Sequence, residues 1–391
     1  MTIIKPYTKK DGSKAYMFNV YLGVDPITKK KKRTTRRGFH SRKEANLALS
    51  KLRLELEDQG IGSINNLSFL EVYELWINQH RKEVKITTYD AIVSKFNSRI
   101  LPMFGHLKIN SITRVFCQKA VNEWAEELKA FNDYKVQVNL VFKYALKLDI
   151  IQQNPMDHVT LPKKQADMIY NLNDEVQNFF TKEELKQFLK VAENEVNTKT
   201  FIIFRILAFT GARKGEVLAL YWSDIDFNNK SISFRKTLVT TKGLQLLQTP
   251  KTAASRRIIS IDDETLGWLK KWRKRQSEEF YDVDIDLLPD DQQPLFTRYD
   301  YNERKMKYIR LASLNDELTK LLKNHKYFPS ISIHGLRHTH ASLLFEAGAS
   351  IKDVQVRLGH TDIQTTMNIY THVSNTAKEK VANLFQDYMD L

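Results

Sequence analysis

Residues 333–370 read I-H-G-L-R-H-T-H-A-S-L-L-F-E-A-G-A-S-I-K-D-V-Q-V-R-L-G-H-T-D-I-Q-T-T-M-N-I-Y. Four polar side chains stand out: His334, Arg337, His360 and Tyr370. Around them Ala341, Leu343, Leu344, Val354, Val356, Leu358, Met367 and Ile369 keep helical spacing, which marks them as core. Two imidazoles, a guanidinium and a phenol set into core helices need partners, because burying them unpaired would cost several kcal/mol. A phosphodiester would satisfy all four.

The spacing is specific. His334 and Arg337 lie three apart and share a helix face, and Gly335 between them predicts a helix start near His334. Arg337 is a fork that can grip two oxygens of one phosphate. Leu358-Gly359-His360 predicts a helix end with Gly359 in a left-handed turn and His360 at a loop tip. Tyr370 follows a helical run over Thr365–Ile369. Taken singly, each residue has a plainer reading as a hydrogen-bonded core histidine or a packing tyrosine. His334 and His338 also have zinc-ligand spacing. Gly335, however, stands where a metalloprotease motif needs Glu, and no third ligand is obvious.

Outward from this stretch, 391 residues suggest two or three domains. There are 61 Lys and Arg against 46 Asp and Glu, a net charge of +15, which points to nucleic acid or an anionic membrane surface. No apolar run is long enough to span a bilayer, and the N-terminus does not read as a signal peptide. A single cysteine, Cys117, excludes an internal disulfide framework, fits a reducing cytoplasm and reads as core.

Residues 1–60 predict a three-stranded sheet packed on one helix. Tyr16–Leu22 is a strand, Asp25-Pro26 a turn, and Ser41 with Glu44 opens a helix through about Asp58. This unit holds 15 Lys and Arg against 6 Asp and Glu. Its basic run, Lys29, Lys30, Lys31, Lys32, Arg33, Arg36 and Arg37, is expected between strands and facing DNA, the alternative being a solvated loop. Residues 66–160 predict four helices: one capped by Ser68, one from Thr87 or Thr88 to Ile100 and ended by Leu101-Pro102, then Ile112–Leu128 and Asp133–Leu148. Residues 161–175 read as a linker. The last domain, 176–391, opens with the capping box Thr181-Lys182-Glu183-Glu184 and continues with an apolar helix over Phe201–Phe209. One small antiparallel sheet is expected within 231–261, with Lys251 between its second and third strands. Residues 282–293 read as an acidic loop, and Ala377–Tyr388 as an amphipathic tail helix.

In this last domain Arg213, Glu216, Lys251, His334, Arg337, His360 and Tyr370 compose a cationic box with one nucleophilic hydroxyl. Fixed cations aimed at the equatorial oxygens of a phosphorane are a large catalytic contribution. No acidic metal cage is visible, so no metal or other cofactor is expected. A phenol in a cationic pocket can ionise to attack phosphorus, and the resulting phosphotyrosine keeps the bond energy for rejoining without ATP.

The domain resembles the tyrosine recombinase (phage integrase) family. The resemblance rests on T-G-A-R-K-G-E at 210–216, T-P-K-T at 249–252, H-G-L-R-H at 334–338, L-G-H at 358–360 and Tyr370, in that order. It implies a mainly α fold with small antiparallel sheets, preceded by a helical core-binding domain and an arm-binding sheet, as in integrases of phages and conjugative elements. It implies that Arg213 and Arg337 hold the non-bridging oxygens, Lys251 protonates the leaving 5′ oxygen, His334 accepts the proton of Tyr370, His360 bonds the scissile phosphate and Glu216 supports the site. It further implies a homotetramer acting on core and arm attachment sites in the bacterial cytoplasm at the nucleoid. An excisionase and a host DNA-bending protein are the implied partners. The tail helix, with Val381, Leu384 and Phe385 on one face, would dock on a neighbouring protomer or fold back on its own domain. The rival readings are a type IB topoisomerase, a DNA-binding regulator without chemistry and a zinc enzyme.

Overall fold

The computed structural model describes residues 4–9, 12–24, 31–59, 67–162, 178–250, 253–369 and Met389. It forms two compact units, Met1–Tyr170 and Asn171–Leu391.

In the first unit, strands β1 (Ile4–Thr8), β2 (Lys14–Val24) and β3 (Lys31–Phe39) form an antiparallel sheet in that order, followed by helix α1 (Arg42–Gln59). Period-two alternation turns Ile4, Phe18 and Val20 onto Ala45 and Leu49 of the helix. Ser41 accepts the amide of Glu44 at 3.1 Å, and the Glu44 carboxylate accepts the amide of His40 at 2.8 Å. The basic run does not lie between strands: Lys31–Arg37 is itself most of β3. Pairing with β2 leaves Arg33, Arg36 and Arg37 exposed, so the strand can carry them without burying charge. The expected turn at Asp25-Pro26 lies outside the described residues.

A separate core belongs to α2 (Phe69–His80), α3 (Ile86–Lys95), a wider π turn (Phe96–Ile100), α4 (Leu101–Phe104), α5 (Arg114–Glu127) and α6 (Phe131–Lys147). Ser68 and Glu71 form a reciprocal cap on α2. Phe69, Phe96, Phe104, Trp124 and Phe142 fill the centre beside Cys117, whose thiol is pushed up to about 12 by burial. Two expectations fail here. Lys85, not Thr87 or Thr88, precedes the second helix, and Leu101-Pro102 does not end it. The π turn closes with Leu101 N–H donating to Phe96 O, and Pro102 then falls in the first turn of α4, where its missing N–H costs nothing.

The second unit begins with α7 (Lys182–Glu195), capped by Thr181 and Glu184, and α8 (Thr198–Thr210), which is buried on nearly every face. There follow α9 (Lys214–Val217), β4 (Ile225–Asp226), β5 (Ser231–Phe234), β6 (Thr237–Thr241), β7 (Leu244–Gln248), β8 (Arg257–Ser260) and α10 (Asp263–Tyr281). Next come β9 (Thr297–Asp300), β10 (Lys305–Tyr308), α11 (Leu311–Asn324), α12 (Gly335–Glu346) and α13 (Ile351–Leu358). Residues 363–369 are helical. The single sheet expected over 231–261 is two sheets, β4-β5-β8 and the hairpin β6-β7. The strand breaks at Arg235-Lys236, where Lys236 turns out to Asp224 at 3.3 Å and lies over the Tyr221 ring. The hairpin β9-β10 and helices α10 and α11 are additional to the elements expected from the sequence.

In the organising stretch Ala341, Val354, Leu358 and Ile369 are buried as expected, but Val356 and Met367 are exposed. Val354 and Leu358 lie one turn apart on the inner face of α13, and Val356 between them points the other way. Among the described residues no helix is long and apolar enough to cross a membrane. The linker beyond Pro162 and the expected tail helix Ala377–Tyr388 lie outside the described residues.

Candidate active site

Helix α8 ends at Gly211, which takes a left-handed backbone with φ of 63°. A Cβ there would fall 2.5 Å from Leu358 Cδ2 and 2.8 Å from His340 Cδ2, so only glycine fits. Its carbonyl accepts Arg337 Nη1 at 2.7 Å, and the Leu358 carbonyl accepts Arg337 Nη2 at 2.7 Å. Arg337 is thus fixed in the first turn of α12 by the ends of α8 and α13, at 1% exposure. Burial, then the like charges of Arg213 and Arg257, push its pKa down to about 9 while Glu216 opposes them. The guanidinium stays charged at neutral pH, and these two bonds to described residues use two of its five N–H donors.

Arg213 caps α9 and is 40% exposed. Glu216, one turn on and 3% exposed, accepts Arg213 Nη1 at 2.9 Å through Oε1 and the Arg213 amide at 2.9 Å through Oε2. Its Oε2 also accepts Arg257 Nη2 at 3.0 Å. Burial would raise the Glu216 pKa, but Arg257 and then Arg213 outweigh it and hold the carboxyl below its ordinary value. Two guanidiniums therefore share one carboxylate, and Arg337 lies near enough to feel its charge.

His334 precedes α12, as the Gly335 spacing predicts. Although its ring keeps an exposed edge, its pKa is pushed down to about 4 by burial, then by His338, Arg337 and Arg213. His338 lies edge-on to it with ring centroids 4.9 Å apart. Gly359 ends α13 with φ of 68°, and His360 follows, half-buried, with Nδ1 2.9 Å from Thr366 Oγ1. Burial, then Arg337, Arg213 and His334, push its pKa down to about 3. Both imidazoles are neutral at pH 7. Arg213, Glu216, His334, Arg337 and His360, distant in sequence, are thereby brought close enough to act on one another's charge. Lys251 and Tyr370 lie outside the described residues, and Ile369, the residue before Tyr370, is buried.

The sequence reading missed Arg257, His340 and Arg357. His340 is buried, with Nδ1 2.8 Å from Ala208 O and Nε2 accepting Arg357 Nε at 3.0 Å. Arg257 did carry a signal: it stands in phase with the buried Ile259 and Ile261, an arginine on the inner side of a strand.

In the N-terminal sheet, register places Lys5, Met17, Asn19, Tyr21, Arg33, Thr35 and Arg37 on the face away from α1. Asn19 donates to Thr35 at 2.9 Å. Arg36 pairs with Phe18 and so starts from the helix side. Lys31 and Lys32 belong to the β3 backbone; Lys29 and Lys30 lie outside the described residues.

The sequence profile of the phage integrase family matches residues 178–377, just over half of the 391-residue chain. The chain belongs to the phage integrase family. It is a tyrosine-type site-specific DNA recombinase, with the fold of that family. The N-terminal SAM-like domain of phage integrases matches residues 68–125, and an arm DNA-binding domain matches residues 4–56. The integrase of ICEBs1 from Bacillus subtilis (strain 168) is 28% identical over 97% of this chain and 99% of its own length. The Tn1549 transposon integrase, solved with transposon right-end DNA, superposes with a TM-score of 0.64 at 22% identity, over 81% of this chain and 100% of that one. The lambda integrase tetramer bound to a Holliday junction gives a TM-score of 0.54 at 16% identity, over 91% and 95%.

Proposed function

We propose that Arg213, Lys251, His334, Arg337, His360 and Tyr370 form one phosphoryl-transfer centre for DNA strand exchange. The Tyr370 oxygen attacks the scissile phosphorus and its proton passes to His334. The bond to the 5′ oxygen breaks, and Lys251 supplies the proton that this oxygen takes up. Arg213 and Arg337 bind the non-bridging oxygens, and His360 donates to the same phosphate. Rejoining is the reverse, with a 5′ hydroxyl displacing the phenol. An arriving phosphate adds negative charge beside His334 and so raises its affinity for the phenolic proton.

The observation that carries this reading is the imbalance of charge: Arg213 and Arg257 pair with one buried carboxylate, Arg337 adds a third positive charge nearby, and Arg213 is 40% open to solvent. The excess charge calls for an anion between Arg213 and Arg337.

By the same reading residues 1–60 bind arm sites, 66–160 bind core sites, 161–175 link them to the catalytic domain at 176–391, and four copies act on two duplexes in the cytoplasm. The lambda integrase tetramer offers the pattern for that assembly. The tail beyond Tyr370 docks on a neighbouring copy, and an excisionase and a host DNA-bending protein direct the reaction. Truncation after Val373 should abolish assembly; normal recombination by the truncated protein would remove the tail from the scheme.

The deciding experiment is trapping on a nicked duplex carrying the ends of the element. A covalent adduct mapped to Tyr370 is expected, with Tyr370→Phe binding DNA but forming no adduct. Cleavage by the Phe variant would refute the assignment. Neutralising Lys29–Lys32 should weaken arm-site binding and spare core-site cleavage.

A further inference from the structure

Arg257 has no place in the chemistry above, yet it is among the most constrained side chains near the centre. Its guanidinium is 6% exposed and lies over the Phe234 ring at 4.9 Å. It donates to three separate acceptors: Glu216 Oε2 at 3.0 Å, the Arg357 carbonyl at 2.8 Å and the Ser255 carbonyl at 3.1 Å. The first belongs to α9, whose cap is Arg213. The second belongs to the last turn of α13, directly before Leu358, whose carbonyl holds Arg337, and before Gly359 and His360. The backbone makes room for this crossing: a Cβ on Gly359 would lie 3.3 Å from Arg257 Cδ and 2.7 Å from Ala254 O.

Resting on the phosphoryl-transfer reading, we infer that Arg257 is a positioning residue for strand transfer, acting through Glu216 to aim Arg213 and through the Arg357 carbonyl to seat His360. Glu216 cannot do this alone. With only Arg213 beside it, a carboxylate this buried would carry its charge at a much higher cost, and protonation would release Arg213. Arg257 keeps the carboxylate ionised, so that Arg213 is fixed in place before DNA arrives. The groups bearing on Glu216 are Arg213 from α9, Arg257 from β8, and Arg337 and His334 from the start of α12.

The test uses the full chain and the nicked duplex with the element's own ends. Single-turnover adduct formation is measured from pH 5 to 9, alongside thermal melting. Arg257→Met is expected to slow adduct formation by about 10- to 100-fold at pH 7. It should also bring a new acid limb into the profile, because Glu216 then protonates at higher pH. Arg257→Met/Glu216→Gln should lack that limb. Arg257→Lys should restore the wild-type limb, since an ammonium still pairs with Glu216, while recovering only part of the rate. A folded Arg257→Met variant with wild-type rate and profile would overturn the inference. So would a slower variant whose acid limb is unmoved, since that is plain structural damage. If Arg257→Met does not fold, Arg257→Lys decides: full wild-type rate overturns the three-acceptor role, and partial rate with the wild-type limb supports it. Failure of the wild-type protein to form an adduct at Tyr370 would instead strike the underlying reading.

Discussion

Arg337 donates through Nη2 to the carbonyl oxygen of Leu358 at 2.7 Å, tying the first turn of α12 to the last turn of α13. With its other bond to Gly211, 126 residues away, this makes the arginine a structural rivet between α8, α12 and α13.

A lysine at this position cannot reach both carbonyls in the planar fork geometry. Arg337→Lys should therefore lower stability by about 1–3 kcal/mol, the cost of leaving a buried acceptor unpaired. It should slow adduct formation by about 100-fold or more, the usual loss for one oxyanion donor. Urea denaturation and single-turnover trapping check the two effects separately; a stable, fully active lysine variant would contradict the geometry.

The pH dependence of stability follows from three imidazoles. His334, His340 and His360 have pKa values pushed down to about 4, 3 and 3 from an ordinary 6.5. Above pH 6.5 both folded and unfolded chains hold them neutral. Between pH 6.5 and about 4 the unfolded chain binds protons that the folded chain refuses, so stability falls as pH falls through this window. Denaturation midpoints measured across it should show that slope. Replacing His340 with glutamine should remove its share, and an unchanged slope would show that His340 is not held neutral.

Gly359→Ala combines a left-handed backbone with a collision against Ala254 O at 2.7 Å. The backbone alone costs roughly 1–2 kcal/mol, and the collision adds to it. The variant should melt lower and lose adduct formation, because His360 and the Arg257 crossing both move. Retained melting temperature would mean that the 253–255 turn yields freely.

On the arm sheet, Arg33 and Arg37 share the outer face with Asn19 and Thr35, while Arg36 starts from the other side. Each arginine that contacts a phosphate contributes about −0.9 to the slope of log affinity against log salt. Titrations at arm sites should therefore lose about one unit of slope for each outer-face arginine changed to glutamine. A change confined to Arg36→Gln would reverse the assignment of faces.

Much of this protein was legible before any fold was known. Ser68, Thr181 and Ser41 mark helix starts because capping is a transaction between residues three apart. Gly359 marks the end of α13 because a left-handed turn excludes almost every other residue. The motifs from Thr210 to Tyr370 named a phosphoryl-transfer site because few other tasks require that set of cations with a phenol.

Other features were closed to local reading. The break at Arg235-Lys236 depends on Asp224 and Tyr221 receiving the lysine, and the passage of the helix through Pro102 depends on a π turn that no propensity announces. Val356 and Met367 were misplaced because apolar type alone does not fix which side of a helix faces the core. What the sequence determined by itself was the chemistry of the residues, the family and the periodic elements, all of which are encoded over a few neighbouring positions. What only the tertiary structure decided was partnership: Arg337 with Gly211 and Leu358, Glu216 with Arg213 and Arg257, His340 with Arg357. The reason is physical. Burial and electrostatic pairing depend on distances between segments far apart in the chain, and those distances exist only once the core has packed.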